Sequence, residues 1–285
     1  MTPRTFGLAA AAMFCFAANS LLCRAALARD LVDPASFTLA RVASGAVALS
    51  LLMRLTGRAA PARRDLRAAA ALFAYALAFS LAYTKIPAAL GALLLFGAVQ
   101  LTMVGHGLVR GERPRAPEWA GLALSVAGLL LLTLPGLRAS DPFGAGLMLV
   151  AGAAWGVYSL LGRSIRSSPL AANAAHFAWA VPMALGASLL ASLDSPPRLS
   201  AAGLALGAAS GALASAGGYS LWYAALPGMT ATRAALVQLS VPPLAALGGV
   251  ALLGETVTIR LVLAAAAILG GIALATTGGR RSSAA

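Results

Sequence analysis

Acid is what this chain has least of: eight Asp and Glu stand against 21 Lys and Arg in 285 residues. All eight, Asp30, Asp33, Asp65, Glu112, Glu118, Asp141, Asp194 and Glu255, fall between long apolar runs or at their ends. No carboxylate lies at the middle of a run, which excludes paired-acid catalysis and a buried acidic site for a proton or an organic cation. Cysteine is nearly absent too, with Cys15 and Cys23 alone in the first run. At ~1.5 Å rise per helical residue their α-carbons lie roughly 12 Å apart, too far for a disulfide, so two packing thiols are expected. The sequence holds no CxxC, no HExxH and no GxxxxGK[ST], which removes thiol redox, zinc hydrolysis and nucleotide hydrolysis. Enzymatic activity is not expected, nor any metal or cofactor.

What fills the chain is apolar: 60% of residues are hydrophobic, 10% are charged, and the mean hydropathy is +0.86. A soluble domain of this length has no use for so much apolar surface. Runs of membrane-spanning length lie at 5–28, 35–53, 67–84, 86–109, 117–135, 143–162, 172–193, 200–224, 229–253 and 258–277, ten in all. Alanine and leucine dominate them, which predicts α-helices, since a barrel needs short alternating strands. The first run resembles a signal peptide after Arg4, but it continues past twenty residues without a small-residue cleavage site before Arg24, so a retained helix is expected.

The net charge of +13 suggests nucleic acid only until the basic residues are placed. With the N-terminus in the cytoplasm, thirteen of them fall on the cytoplasmic side: Arg4, Arg54, Arg58, Arg63, Arg64, Arg67, Arg110, Arg113, Arg115, Arg163, Arg166, Arg280 and Arg281. Six fall opposite, Arg24, Arg29, Lys85, Arg138, Arg198 and Arg260, while Arg41 and Arg233 lie within runs. This asymmetry predicts a multi-pass protein of the bacterial inner membrane with both termini cytoplasmic. Small-molecule substrate and membrane lipid are the expected partners, a homodimer is an allowed assembly, and nucleic acid is not expected.

The pattern is also written twice. Tyr83-Thr84-Lys85-Ile86-Pro87 matches Tyr223-Ala224-Ala225-Leu226-Pro227 at an offset of 140, and Ser20 to Arg24 matches Ser159 to Arg163 at 139. Gly111-Glu112 matches Gly254-Glu255 at 143, and Gly128 matches Gly271. Two units result, 1–138 and 139–285, each of five spans. An odd number of spans inverts the second unit across the membrane, an architecture of secondary transporters whose substrate site lies between the repeats.

On these residues the chain resembles the drug/metabolite transporter superfamily, specifically proteins carrying two EamA-type domains. The two Tyr-x-x-x-Pro segments, the Gly-Glu pairs, the apolar helices that follow them and Pro242 carry the resemblance. The first copy has Val99-Gln100 where the second has Pro242-Pro243. The resemblance implies ten helices, the first four of each half around a central cavity and the fifth at the periphery. It also implies export of amino acids, other small metabolites or drugs.

Ionisable and polar residues inside spans are expensive, so they mark the candidate site. Arg41, two turns into the second span, suits a substrate carboxylate, and His176 aligns with it at the offset of 135 that relates Pro34 to Pro169. Asn19, Tyr83, Gln100, Trp155, Tyr158, Trp179, Tyr223 and Gln238 complete the predicted substrate-binding set. Trp155 and Tyr158, three residues apart, share a helix face. Arg233 is expected to anchor at the interface, His106 to pack, and Glu112 and Glu255 to charge the N-termini of the fifth helices. Pro87, Pro227 and Pro242 are the predicted hinges. Gly203, Gly207 and Gly211, spaced by four, predict a close helix contact. The predicted function is export of amino acids or related zwitterions by alternating access. A multidrug efflux protein and a non-transporting scaffold or sensor on the same fold are the alternatives.

Overall fold

A computed structural model describes residues 1–57, 65–86, 88–134, 141–165, 168–253 and 257–277, apart from the side chains of 88, 89, 252, 253 and 277. Pro87, Gly254 and Glu255 lie outside the described residues, as does the boundary between units at 138 and 139. The first half comprises α1 (Pro3–Leu27), α2 (Pro34–Leu55), α3 (Leu66–Tyr83), α4 (Ala88–Val109) and α5 (Ala116–Thr133). The second comprises α6 (Pro142–Arg163), α7 (Pro169–Asp194), α8 (Ala201–Ala209), α9 (Ala216–Ala225), α10 (Ala231–Gln238), α11 (Val241–Leu253) and α12 (Ile259–Thr277). These make ten apolar spans among the described residues, in two inverted five-span repeats.

The chain closes its helices with the few acids it has. Asp33, Asp65 and Asp141 are the N-caps of α2, α3 and α6, each accepting from backbone N–H groups of the first turn. The Gly144 N–H, then that of Phe143, hold the Asp141 carboxyl below the usual carboxylate range. Ser200 and Thr230 cap α8 and α10 in the same way.

Two spans depart from the single helices expected at 200–224 and 229–253. The first is α8, a π-helical stretch at Ser210–Ser215, and α9, followed by a 3₁₀ turn at Leu226–Gly228. The second breaks at Leu239 and Ser240 into α10 and α11. Pro242 and Pro243 explain that break. Each lacks an N–H, so the carbonyls one turn earlier have no helical donor. The π stretch has a different cause: small residues, Ser210, Gly211, Ala212, Ala214 and Ser215, let the backbone widen where α2 presses on it.

That pressure comes from the predicted glycine stripe. Gly203 meets the Leu31 carbonyl, Gly207 meets Phe37 and Ala40, and Gly211 meets the Arg41 carbonyl and Ser44 Oγ. The close contact is thus with α2, and it puts Arg41 against the π stretch. The fifth helices of the two halves, α5 and α12, pack on each other at the rim, with Ser125 donating to the Ile268 carbonyl at 3.1 Å. Around the centre stand α1 against α9 and α11, α3 and α4 against α6, and α2 against α7.

The N-terminal acid of α5 is a correction. Glu112 does not charge α5; it crosses to the other repeat and accepts from the first N–H groups of α10. Glu118 serves α5 instead, accepting from the Arg115 N–H at 2.8 Å. Arg233 is not a free anchor either, since its Nε lies 2.7 Å from Glu118.

Candidate functional site

Arg41 is the centre of the site. It is 1% exposed, two turns into α2, and among the described residues no carboxylate pairs with it. Its Nε donates to Ser215 Oγ at 3.1 Å, and its Nη2 donates to the hydroxyls of Tyr75, at 3.3 Å, and Tyr219. The Tyr75 ring also lies beneath the guanidinium, 5.1 Å from Cζ to centroid. Nη1 has no hydrogen-bond partner. Dipoles and a π-face hold a buried cation less well than an anion does, and removing an ion from water costs several kcal/mol. The unpartnered Nη1 is therefore suited to a carboxylate oxygen, which accepts a charge-assisted N–H bond.

An aromatic wall surrounds this cation. Trp155 lies 5.0 Å from Tyr75 and 4.8 Å from Tyr219 between ring centroids, with Phe16 edge-on at 5.1 Å. Behind Trp155, Tyr158 donates to Asn173 Oδ1 at 2.7 Å and lies 3.3 Å from His176 Nδ1. The Tyr223 hydroxyl donates to the Tyr158 carbonyl at 2.9 Å, and Trp222 Nε1 donates to Ser159 Oγ at 3.1 Å. On the other side of the wall, Trp155 Nε1 donates to Gln238 Oε1 at 2.5 Å, and Asn19 accepts from Ser210 at 2.6 Å. Helices α1, α2, α3, α6, α7, α9 and α10 all contribute.

Two openings lead toward this cluster from opposite ends, and they are unlike. At the end where α1 finishes, a cavity of about 270 Å³ is lined by Ser20, Arg24, Tyr83, Thr133 and Pro242. It shares Ser20, Leu95, Phe96 and Val241 with a narrow extension of about 30 Å³ that reaches Asn19, Tyr75, Trp155, Tyr219 and Gln238. That extension admits about one water molecule, so nothing larger reaches Tyr75 and Tyr219 unless these side chains move. At the end where α1 begins, a groove of about 540 Å³ is lined by Arg4, Thr56, Gly162, Ser168 and Pro227 and stops at Tyr223. There the buried Tyr223, Tyr158 and Trp222 form a closed layer. Tyr83 and Ser20 line an open cavity, whereas their repeat counterparts Tyr223 and Ser159 are hydrogen-bonded into that layer.

Of the predicted residues, Asn19, Arg41, Trp155, Tyr158, His176, Tyr223 and Gln238 meet in this single cluster. Tyr83 sits apart, in the wider cavity. Gln100 is buried beside the site and binds α10, donating from Nε2 to the Ala235 carbonyl at 2.8 Å, while its Oε1 has no partner. Trp179, one turn beyond His176, is half-buried and does not line the cavity or its extension. Pro227 lies exposed in the 3₁₀ turn, and Pro242 lines the cavity just past the helix break. Ser215 and Asn173 are the site residues that sequence reasoning missed, whereas Tyr75 and Tyr219 belong to the polar and aromatic residues expected around a cavity. Asn173 is three residues from His176 and Ser215 is four from Tyr219, the spacing that puts pairs on one helix face.

Known proteins carry the same pattern. A family model described as the EamA-like transporter family matches twice, at residues 4–134 and 142–277. A Pseudomonas aeruginosa protein called Uncharacterized protein PA1977 is 53% identical over 272 residues, covering 95% of this chain and 94% of its own. A solved crystal structure matches with a TM-score of 0.74 at 21% identity, over 94% of this chain and 98% of its own, a likeness of fold.

Proposed function

The chain belongs to the EamA-like transporter family, and from that premise we propose that it exports a small carboxylate-bearing metabolite, amino acids first, by alternating access across the inner membrane. The observation that carries this reading is Arg41, a buried guanidinium with one unpartnered nitrogen, held by Tyr75 and Tyr219, which line the inner extension of the cavity. The carboxylate binds there, the aromatic wall takes the apolar part, and the side-chain carbonyls of Asn19 and Gln238 face the amino group. With both termini cytoplasmic, the cavity faces outward and the Tyr223 layer closes the cytoplasmic side.

Multidrug efflux is the weaker reading, because the cluster holds a cation and no carboxylate to receive cationic drugs. Flux in proteoliposomes separates the readings: exchange of labelled amino acids is expected, and no flux across a broad panel of amino acids and drugs leaves the scaffold or sensor reading standing. In the same assay, collapsing the pH gradient tests proton coupling. His106 is exposed near the end of α4 while His176 is buried against Tyr158. A proton-coupled carrier is thus expected to lose its gradient dependence in His176→Gln and to keep it in His106→Gln.

A further inference from the structure

Glu112 ties the two repeats together at the closed end of the bundle. Its position is fixed by the way α4 stops: Gly111 adopts φ +83°, its N–H donates to the Leu108 carbonyl at 3.0 Å, and the Glu112 N–H donates to the Gly107 carbonyl at 2.8 Å. This left-handed cap turns the chain back over its own helix end. The Glu112 carboxylate then reaches the start of α10, accepting from the Ala231 N–H at 2.9 Å and the Thr232 N–H at 3.4 Å. It also lies 3.0 Å from Arg163 Nη2 at the end of α6. Gly107 leaves the room, since a β-carbon there would stand 2.7 Å from Glu112 Oε2.

The tie runs straight to the site. α10 is only eight residues long, and its last residue, Gln238, accepts from Trp155. A second pair, Arg233 with Glu118, holds the same first turn of α10 to α5. The opposite end has weaker fastenings: Lys85–Asp141 spans 3.7 Å, and Arg198–Asp30 has side chains 59% and 67% exposed. The side chains of Arg163 and Glu112 are 27% and 20% exposed. Part-buried, charge-assisted bonds outlast exposed pairs, which water and salt screen.

We propose that Glu112 is the latch of the closed end: the Arg163 pair and the α10 contacts must break before that end opens. The inference rests on the two-sided transport reading for its purpose, but its test needs no substrate. In a chain carrying Cys15→Ala and Cys23→Ala, two single cysteines report the two ends. Thr232→Cys lies buried beside Glu112, where the native Oγ1 has no partner to lose, and Ser20→Cys lines the opposite cavity. A membrane-impermeant maleimide is applied from either side of oriented vesicles.

Glu112→Gln is expected to speed labelling of Thr232→Cys from the α1-start side about tenfold and to slow labelling of Ser20→Cys from the other side several-fold. Arg163→Gln, which leaves the α10 cap in place, is expected to shift both in the same directions by less, and it carries the test if Glu112→Gln does not accumulate. Faster labelling at both positions would mean general loosening and overturns the latch, as does no change at either. Reciprocal shifts without flux of any solute would keep the latch and sink the transport reading; flux with unshifted labelling would do the reverse.

Discussion

Arg41→Gln is expected to abolish carboxylate transport while leaving the protein folded. The charge is buried among hydroxyls and rings without an acid, so its removal also removes a desolvation cost of several kcal/mol. Glutamine keeps an N–H donor for the tyrosine hydroxyls but cannot offer a charged donor to a carboxylate. Losing a charge-assisted contact to a buried guanidinium costs about 3 kcal/mol, roughly a hundredfold in flux at limiting substrate. Arg41→Lys is expected to lie between, near tenfold, because an ammonium is a point charge without the fork. Initial rates in proteoliposomes measure the first effect, and thermal unfolding in detergent measures the second. A large fall in melting temperature in Arg41→Gln would mean that the arginine only holds α2, α3 and α9 together.

Gly211→Val is expected to prevent normal assembly of the bundle. A β-carbon at Gly211 would fall on the Arg41 carbonyl oxygen and on Ser44 Oγ, and the carbonyl, being backbone, cannot swing away. α2 must move off the π stretch, which opens the contacts of Phe37, Ser44 and Arg41 at once. Overpacking of this kind costs on the order of 3 kcal/mol, enough to lose most folded protein in a marginal membrane bundle. The control lies six residues on, where a β-carbon at Gly217 meets nothing within 4 Å. Gly217→Val is expected to change stability by less than about 1 kcal/mol. Accumulation in the membrane and thermal unfolding compare the two, and equal stability would overturn the claim that the stripe seats Arg41.

Much of this was legible in the residues because the membrane makes the rules strict. Lipid offers backbone groups no partner, so apolar runs had to be helices, and an odd number of them per copy inverted the repeat. Arg41, Asn19, Trp155 and His176 stood out because polar groups are expensive in spans, and the fold brings them to one place. Arg233 and Glu112 were harder. Each lies near a span end, where an ordinary interfacial or capping role accounts for it, and their true partners are 115 and 119 residues away in sequence. The π stretch at Ser210–Ser215 depends on α2 pressing against it: the glycine stripe announces a close contact but not which helix makes it.

By itself, then, the sequence determined the class, the ten spans, the inverted duplication and most of the polar groups that can serve a substrate, because each follows from the cost of exposing polar atoms to hydrocarbon. Tertiary structure alone decided which of those groups meet, and that Glu112 and Arg233 bind across the two repeats. Two matching copies of a sequence are equal along the chain, but in this packed state Tyr83 lines a cavity while its counterpart Tyr223 is buried and hydrogen-bonded to Tyr158, and that inequality exists only in three dimensions.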